Sequence, residues 1–478
     1  MARSQRYLLL AQLARLALFL AATHYLGTRL TPAEFGFFAL VSGLFAVAVE
    51  VLDAGTSATV ARQIAQDPAT ERAQLAILLG WRRWVALGVA SVCLASAALV
   101  AAPDWQRWVL VVAAGGLYLL HLNAYQLVFQ VRQRFGRPLL LGVLLQALFL
   151  LACIAALRTL GAVLVPLLVV AREAAQVLGT RVLALRELGP PLRAVSSRRD
   201  FQTLWRVTWQ FGLCALLYKL IFHAGSFSLY WQAPPEALGS YSAALRIFLP
   251  VLEVSWLLVT PLIISMSAAG AADLQRQLGA ALSLHLGAAV LFCVSGLALA
   301  PVLLELLYGE RYSAGALSAV IPFRWLCVTF ASAMVTPVLV VAALATRREA
   351  ELLGTSLAAL ALNLALNLWA VPAWGASGAA IACCVTEVFI MGALLLRCWR
   401  DGSWRPQAHQ LLYLAPGVAM AGALAVLAPY PRAALALAVL AAPLLLAAMW
   451  RVSQRLRPPE HDPGTPLTIT STPQGTPP

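Results

Sequence analysis

Charged residues are scarce in this chain of 478 residues: only 11% are Asp, Glu, Lys or Arg, whereas 61% are hydrophobic. A soluble domain cannot cover that much apolar surface, because its outside must meet water. A lipid bilayer removes this limit, and about 20 consecutive apolar residues suffice to cross its hydrocarbon core. Such runs recur along nearly the whole chain, so the sequence predicts an all-α integral membrane protein.

The signatures of several enzyme classes are missing. Lys219 is the only lysine and has no glycine-rich loop before it, so the chain lacks the phosphate-binding loop of ATPases. It also lacks the His-Glu-x-x-His and Gly-x-Ser-x-Gly motifs of metalloproteases and hydrolases. The eight cysteines show no metal-ligand spacing and resemble small hydrophobic residues. We therefore expect no enzyme activity, no cofactor and no metal.

Hydropathy divides the chain into fourteen candidate spans, with both termini on the same side of the membrane. The spans are 7–27, 36–58, 83–102, 107–129, 138–157, 160–183, 207–230, 242–267, 278–303, 315–344, 352–372, 375–396, 410–428 and 433–450.

The arginines support this topology. With the N-terminus inside, the inner segments hold 24 arginines, among them Arg82 and Arg83, and the outer loops hold 5. Such an excess is what the positive-inside rule predicts for a protein with both termini in the cytoplasm. The net charge of +14 is therefore explained by membrane topology, and it does not indicate a nucleic-acid partner.

The predicted spans form two groups of six. We expect an N-terminal lobe at 1–183, a cytoplasmic linker at 184–206 and a C-terminal lobe at 207–400, followed by two further helices within 401–455. The tail 456–478 is rich in Pro, Thr and Gly, a composition typical of disorder.

A short repeat relates the two lobes. Residues 32–39 read Pro-Ala-Glu-Phe-Gly-Phe-Phe-Ala, and residues 235–242 read Pro-Glu-Ala-Leu-Gly-Ser-Tyr-Ser. Both place Gly four positions after Pro, and each lies where the chain enters the second span of its lobe. Transporters often contain such repeats, with the substrate site between them.

The same residues carry a resemblance to a known family. Thr31-Pro-Ala-Glu-Phe-Gly-Phe-Phe-Ala-Leu, with Leu52-Asp-Ala-Gly after it, resembles the first spans of bacterial polysaccharide-biosynthesis flippases. Ala237-Leu-Gly-Ser-Tyr-Ser-Ala-Ala-Leu-Arg-Ile, Leu307-Tyr-Gly-Glu-Arg-Tyr and Val371-Pro-Ala-Trp-Gly-Ala-Ser-Gly-Ala-Ala resemble later landmarks of these proteins. The family belongs to the multidrug/oligosaccharidyl-lipid/polysaccharide (MOP) exporter superfamily.

The resemblance implies a flippase that moves a polyprenyl-diphosphate-linked oligosaccharide across the bacterial inner membrane by alternating access. The implied partners are membrane lipid, this lipid-linked glycan and other membrane proteins of polysaccharide assembly. Where related seventh spans often carry an Asp, this chain reads His223-Ala-Gly-Ser. The resemblance therefore does not imply one particular ion-coupling site.

Basic residues within spans are the first candidates for binding a substrate, because an ionisable group in mid-bilayer is costly and needs a partner or a function. They are Arg15, Lys219, Arg246 and Arg324. Arginine suits a diphosphate, since its planar guanidinium pairs with two oxygens at once. The alternative is that each pairs with a carboxylate or extends to the membrane interface.

Other polar residues in the spans are candidates for ion coupling, or alternatively counter-ions for the basic residues. They are Glu50, Asp53, His223, Glu253 and Glu387.

Two pairs of polar residues close together in sequence lead to opposite expectations. Arg172 and Glu173 are adjacent, and adjacent side chains diverge on a helix, so we do not expect them to pair. Asn363 and Asn367 are four residues apart and are expected to hydrogen-bond between helices.

Two other functions remain open. A cation-coupled exporter of drugs or metabolites has a similar fold, but its cavity is expected to be acidic or aromatic rather than basic. A membrane-embedded glycan ligase or polymerase requires a sizeable catalytic outer loop, which the predicted topology lacks.

Overall fold

The computed structural model describes residues 2–99, 102–195, 197–268, 271–315, 317–346, 348–402 and 415–427, and three short stretches within 429–441. These residues are almost entirely helical and contain no strand, which confirms the all-α class. Eight of the described helices are long and apolar enough to cross a membrane. The last predicted span, 433–450, and the tail 456–478 lie largely or wholly outside the described residues.

Fifteen α-helices follow one another in the described chain, and two short 3₁₀ turns lie at Pro68–Thr70 and Leu120–Tyr125. The helices are α1 Ala2–Arg29, α2 Pro32–Asp53, α3 Thr56–Gln66, α4 Glu71–Leu99, α5 Asp104–Leu119, α6 Gln126–Val131, α7 Gly136–Thr159, α8 Leu164–Leu188, α9 Arg198–Gln232, α10 Pro235–Ala268, α11 Ala271–Tyr308, α12 Glu310–Ser313, α13 Val320–Ala345, α14 Glu349–Arg400 and α15 Ala415–Val426. Below, α1–α8 are called the first half and α9–α14 the second half.

Helix α2 has strong local start and stop signals. Thr31 and Glu34 form a reciprocal capping box, with the Thr31 backbone N–H donating to the Glu34 carboxylate at 2.9 Å, and Pro32 occupies the first turn. The helix ends at Asp53, because Ala54 takes a left-handed conformation with φ 41°. These signals fix the length of the helix that joins the two halves, since α2 packs against α9 and α10.

Helix α14 is a hairpin of two helical arms and confirms the prediction of separate spans at 352–372 and 375–396. The arms meet at Gly375, whose positive φ of 53° reverses the chain just after Pro372. Arg397, near the end of the second arm, donates to the carbonyl oxygen of Glu351 at 2.8 Å, so the far ends of the two arms lie side by side.

The connection between the halves is shorter than the predicted linker 184–206, because α8 and α9 extend into it and leave residues 189–197 between them. This segment is attached to the first half. The Val195 backbone N–H donates to the carbonyl of Ala76 at 3.1 Å, and Arg72 donates to the carbonyl of Pro190 at 3.0 Å. The connection is therefore hydrogen-bonded to α4 along its length.

Arginines cluster around one buried carboxylate at the end of the first half predicted to face the cytoplasm. Arg132, Arg134 and Arg137 each lie within 3.6 Å of Glu187, whose side chain is 6% exposed. Arg132 also forms a salt bridge of 2.7 Å with Glu71. The hydrogen bond from Arg132 to Glu71 raises the pKa of the arginine and keeps it charged.

Candidate functional site

The repeated motif forms a contact between the two halves at the end of the interface that is predicted to face outward, called the outer end below. Gly36 of α2 lies against Gly239 of α10, so closely that a Cβ on Gly36 would be 2.7 Å from the backbone nitrogen of Gly239. Aromatic rings surround this contact: Phe35 packs against Tyr308 and Tyr312, with ring centroids 5.7 and 6.0 Å away. All three rings are almost fully buried, so the outer end of the interface is closed.

Arg246 lies on α10 about two helical turns after Gly239, and its side chain extends to the first half. Its Nη2 donates to Ser42 Oγ at 3.0 Å, and its guanidinium carbon is 4.1 Å from the centre of the Phe38 ring. The rings of Phe19 and Phe35 lie 5.8 Å away. Its buried Nε has no hydrogen-bond partner. No carboxylate of the described side chains forms a salt bridge with Arg246, so its charge is held by aromatic rings and one hydroxyl.

A second arginine lies behind the same rings. Phe38 stacks on Phe149 of α7 with a centroid distance of 6.4 Å, and Arg172 of α8 lies 5.2 Å from the Phe149 ring. Arg172 also donates to Gln146 at 2.9 Å and pairs with Glu173. The expectation that these neighbours do not pair is wrong, because the long arginine side chain bends back along its own helix. Sequence analysis missed Arg172 as a candidate for the site, although a charge within a span was the signal.

Lys219 and His223 occupy consecutive turns of α9 at the same interface. His223 is 5% exposed and lies against Gly43 of α2, where a Cβ would be 2.8 Å from its Nδ1. Lys219 is half-buried and faces Glu50 closely enough for their charges to interact. No salt bridge of 4 Å or less joins these two among the described residues. The two halves therefore bring together two of the predicted basic residues, Arg246 and Lys219, on either side of His223.

Asp53 has a structural partner. It forms a salt bridge with Arg82 of α4, whose Nη2 also donates to Ser57 at 2.7 Å. Arg82 is 3% exposed, because helix α4 begins at Glu71, before the predicted span, and packs this arginine beside Asp53. Asp53 thus has the second of its two possible roles, as the counter-ion of a basic residue.

Glu387 lies apart from the interface, inside the second half. It is 0% exposed and accepts a hydrogen bond of 3.3 Å from Tyr218 of α9. No basic side chain of the described residues forms a salt bridge with it, so the structure gives this carboxyl group no counter-ion.

Asn363 and Asn367 lie in the same core of the second half. Asn367 donates to the Asn363 side chain at 2.9 Å, and Asn363 donates to Thr386 of the other arm at 3.1 Å. The predicted hydrogen bonding between helices is confirmed at Asn363, whereas Asn367 bonds within its own arm.

The remaining candidates lie elsewhere. Arg15 is exposed, midway along α1. Arg324 is exposed in the first turns of α13, next to the exposed Trp325, and its Nε donates to the carbonyl of Leu297 at 3.4 Å. Glu253 lies in α10, and its side chain is outside the described residues. Arg324 is thus placed as expected for an arginine that extends to the membrane interface.

Comparison with known proteins gives both a family and a fold. Residues 2–266, more than half of the chain, match the family described as "Polysaccharide biosynthesis protein". No curated protein matches the sequence.

Three solved structures resemble the fold. The chain is similar to the lipid II flippase MurJ in an inward closed conformation, with a TM-score of 0.75, 10% identity, and coverage of 94% of this chain and 99% of that one. It is also similar to an inward-facing multidrug resistance MATE family transporter of the MOP superfamily, with a TM-score of 0.55, 14% identity and coverage of 86% and 98%. The Vibrio cholerae MATE transporter VcmN gives a TM-score of 0.50, 16% identity and coverage of 83% and 94%.

Proposed function

Because the chain belongs to the polysaccharide biosynthesis protein family, with the fold of MOP superfamily transporters rather than of an enzyme, we propose that it is a flippase for a polyprenyl-diphosphate-linked oligosaccharide. It acts in the inner membrane of a bacterium, with both termini in the cytoplasm, during the assembly of a cell-surface polysaccharide. The two lobes alternate the access of a site between them. The solved relatives are only distantly similar in sequence, so the nature of the cargo rests on the site itself.

The single observation that carries this proposal is the state of Arg246. Its guanidinium lies between the two halves, is bound by no carboxylate among the described side chains, and keeps a buried Nε without a partner. A structural arginine in a membrane is expected to have a counter-ion, as Arg82 does. An arginine held only by rings and a hydroxyl retains donors for an anionic ligand, and a diphosphate offers the matching oxygens.

Lys219 extends this site toward the cytoplasm. On α9 it lies one helical turn before His223. The residues of α2 beside these two, Glu50 and Gly43, are about two turns apart. A diphosphate that moves along this path can leave the side chain of one residue, Lys219 or Arg246, as it binds the other. Arg15 on the exposed face of α1 is a further cation for the same path. Arg324 contributes least, since it lies beside Trp325 on an exposed face.

Glu387 and His223 are the candidates for coupling this movement to an ion. Glu387 is a buried carboxyl group without a counter-ion among the described residues, and His223 is buried where the halves meet. Asp53 is a weaker candidate, because it already neutralises Arg82. A buried acid is also the feature that a cation-coupled drug or metabolite exporter would need, so the two functions are separated by their cargo.

The test compares Arg246→Gln with Arg276→Gln in proteoliposomes that contain a fluorescent polyprenyl-diphosphate oligosaccharide. Arg276 is the matched control, because its side chain is 67% exposed at the start of α11 and its one salt bridge among the described residues is with Asp273. Loss of a charged hydrogen-bonding partner is expected to slow translocation by roughly 10- to 100-fold in Arg246→Gln, and Arg276→Gln is expected to match the wild type.

The flippase proposal fails if the wild-type protein does not move the lipid-linked glycan but exports organic cations. It fails at this site if Arg246→Gln translocates at the wild-type rate with an equal amount of protein in the vesicles.

A further inference from the structure

Among the described residues, the side-chain hydrogen bond and the ring contacts of the Arg246 guanidinium cross from the second half to the first. The hydroxyl that it binds belongs to Ser42 of α2, and the nearest ring is that of Phe38, one turn earlier on the same helix. Phe35 of α2 and Phe19 of α1 complete the surroundings. We call Phe19, Phe35 and Phe38 the aromatic cage. Arg246 thus joins the two halves through a charge and not only through packing.

Opening of the outer side requires this joint to break. The Gly36–Gly239 contact lies at the outer end of α2 and α10, and Arg246 lies on α10 only two turns further in. Outward access needs α2 and α10 to separate at this end, which removes the cage from the guanidinium. A cation without its partners inside a membrane is costly, so the open state is unfavourable until another group takes the place of the cage.

We propose that Arg246 is a latch that keeps the outer side closed while the Phe38 ring holds it, and that an anion releases the latch by binding the guanidinium in place of the cage. The anion half of this statement rests on the proposed function, in which a diphosphate binds Arg246. The latch then prevents the empty protein from opening outward, because only a loaded Arg246 can leave its cage at low cost. A ligand shifts the two states by its difference in affinity for them, and a ligand for free Arg246 has that difference.

Phe38 is the positioning residue of the latch. It is 3% exposed and stacked on Phe149 with an angle of 17° between the rings, so its face toward Arg246 is fixed from behind. Phe37, its neighbour in sequence, is buried to the same degree but packs against Trp105 and Tyr230 instead. Phe37 and Phe38 are thus neighbouring buried phenylalanines of one helix, and of these two only Phe38 faces the arginine.

The experiment measures the distance between the outer ends of the two halves by pulsed electron paramagnetic resonance on the full chain in nanodiscs. Spin labels are attached at Leu160→Cys and Ala314→Cys, which are exposed at the outer ends of the first and second halves. The half-buried cysteines, Cys293 and Cys398, are replaced by alanine, and the six buried ones are kept. Without ligand, Phe38→Leu is expected to raise the ratio of open to closed protein by roughly tenfold, the effect of losing a desolvated cation–π contact.

A double-mutant cycle separates the latch from packing. If Phe38 acts through Arg246, Phe38→Leu changes the ratio less than about twofold in an Arg246→Gln background, and Phe38→Tyr keeps the wild-type ratio. An unchanged ratio in Phe38→Leu overturns the latch. The latch is also overturned if Phe38→Leu raises the ratio of open to closed protein equally in the wild-type and Arg246→Gln backgrounds. It is overturned as well if Phe37→Leu raises this ratio and the rise depends on Arg246.

Inorganic pyrophosphate tests the release, with sulfate at equal ionic strength as the control. Pyrophosphate is expected to open the wild-type protein and to leave Arg246→Gln unchanged. If Phe38→Leu acts through Arg246 as expected while pyrophosphate leaves the ratio of open to closed protein unchanged, the latch is retained. In that case both its release by a diphosphate and the proposed diphosphate site are rejected. If pyrophosphate opens Arg246→Gln as well, the release does not act through this residue and is overturned.

Discussion

The outer and inner parts of helix α2 hold the two halves together by different means. At the outer end, Gly36 touches Gly239 backbone to backbone, and buried rings fill the space around them. At the inner end, predicted to face the cytoplasm, Ala54 touches Gly212, and Glu50 faces Lys219 across the interface closely enough for their charges to interact. Asp53 lies beside them and pairs with Arg82 of the first half. The outer contact depends on shape, whereas the inner contact also includes charges that water can solvate.

This difference gives the interface a direction. Glu50 and Lys219, toward the inner end, are half-buried, whereas Phe35, Tyr308 and Tyr312 at the outer end are almost completely buried. Separated charges are solvated at low cost, while separated rings and backbone expose apolar surface to water. In this conformation the inner end of the interface is therefore the easier one to separate.

The largest effect on stability is expected within the first half, beside the inner contact, from Asp53→Ala. It leaves Arg82, which is 3% exposed, without its carboxylate, and removing one member of a buried pair costs about 3 kcal/mol of unfolding free energy. Asp273→Ala is the matched control, because Asp273 pairs with Arg276 at side-chain exposures of 60% and 67%. That exposed pair is expected to contribute less than about 1 kcal/mol.

Thermal and denaturant unfolding of both variants in nanodiscs provides the measurement. Equal losses in the two variants would mean that the buried pair of Asp53 and Arg82 contributes no more to stability than an exposed pair. Addition of Arg82→Leu to Asp53→Ala is expected to recover part of the loss, since the unpaired charge is then gone.

The next largest effect is expected at the outer contact, from Gly36→Val. The new side chain would meet the backbone of Gly239 at 2.7 Å, and backbone cannot rotate away as a side chain can. Overpacking of this kind costs about 1–3 kcal/mol, and here it also forces α2 away from α10. Gly88→Val is the control, because no atom lies within 4 Å of a Cβ at that position of α4.

The distance between the outer ends separates these outcomes. Gly36→Val is expected to populate a longer distance between labels at Leu160→Cys and Ala314→Cys, and Gly88→Val to keep the wild-type distance. A wild-type distance in Gly36→Val would show that the glycine contact is not the outer closure.

Hydropathy predicted the helices well but not the partners of charged residues. It identified the two arms of α14 and the repeat that places Gly36 and Gly239 at corresponding positions. It did not identify the partner of Arg82, because a transfer scale assigns a cost to each charge separately and cannot include the carboxylate of Asp53, 29 positions away.

The cation site required tertiary structure for the same reason. Arg246 was a candidate from its position in a span, but its aromatic cage comes from three residues of α1 and α2, more than 200 positions earlier. The sequence around Arg172 shows only its neighbour Glu173, whereas Gln146 and Phe149, which it also contacts, lie on α7. In both cases the sequence located the charge, and the fold determined what surrounds it.

The smallest effect on stability is expected for Glu387→Gln, in a region that neither end of α2 touches. Glutamine has the same shape and still accepts the hydrogen bond from Tyr218, so the unfolding free energy is expected to change by less than about 1 kcal/mol.

If Glu387 couples transport to protons, the variant loses the acceleration of transport by an imposed pH gradient and keeps the rate measured without one. Glu305→Gln, at an exposed glutamate of α11, is the control and should retain the gradient response. A wild-type response in Glu387→Gln would remove this residue from the coupling mechanism and leave the interface between the two halves, with His223, as the place to seek the coupled ion.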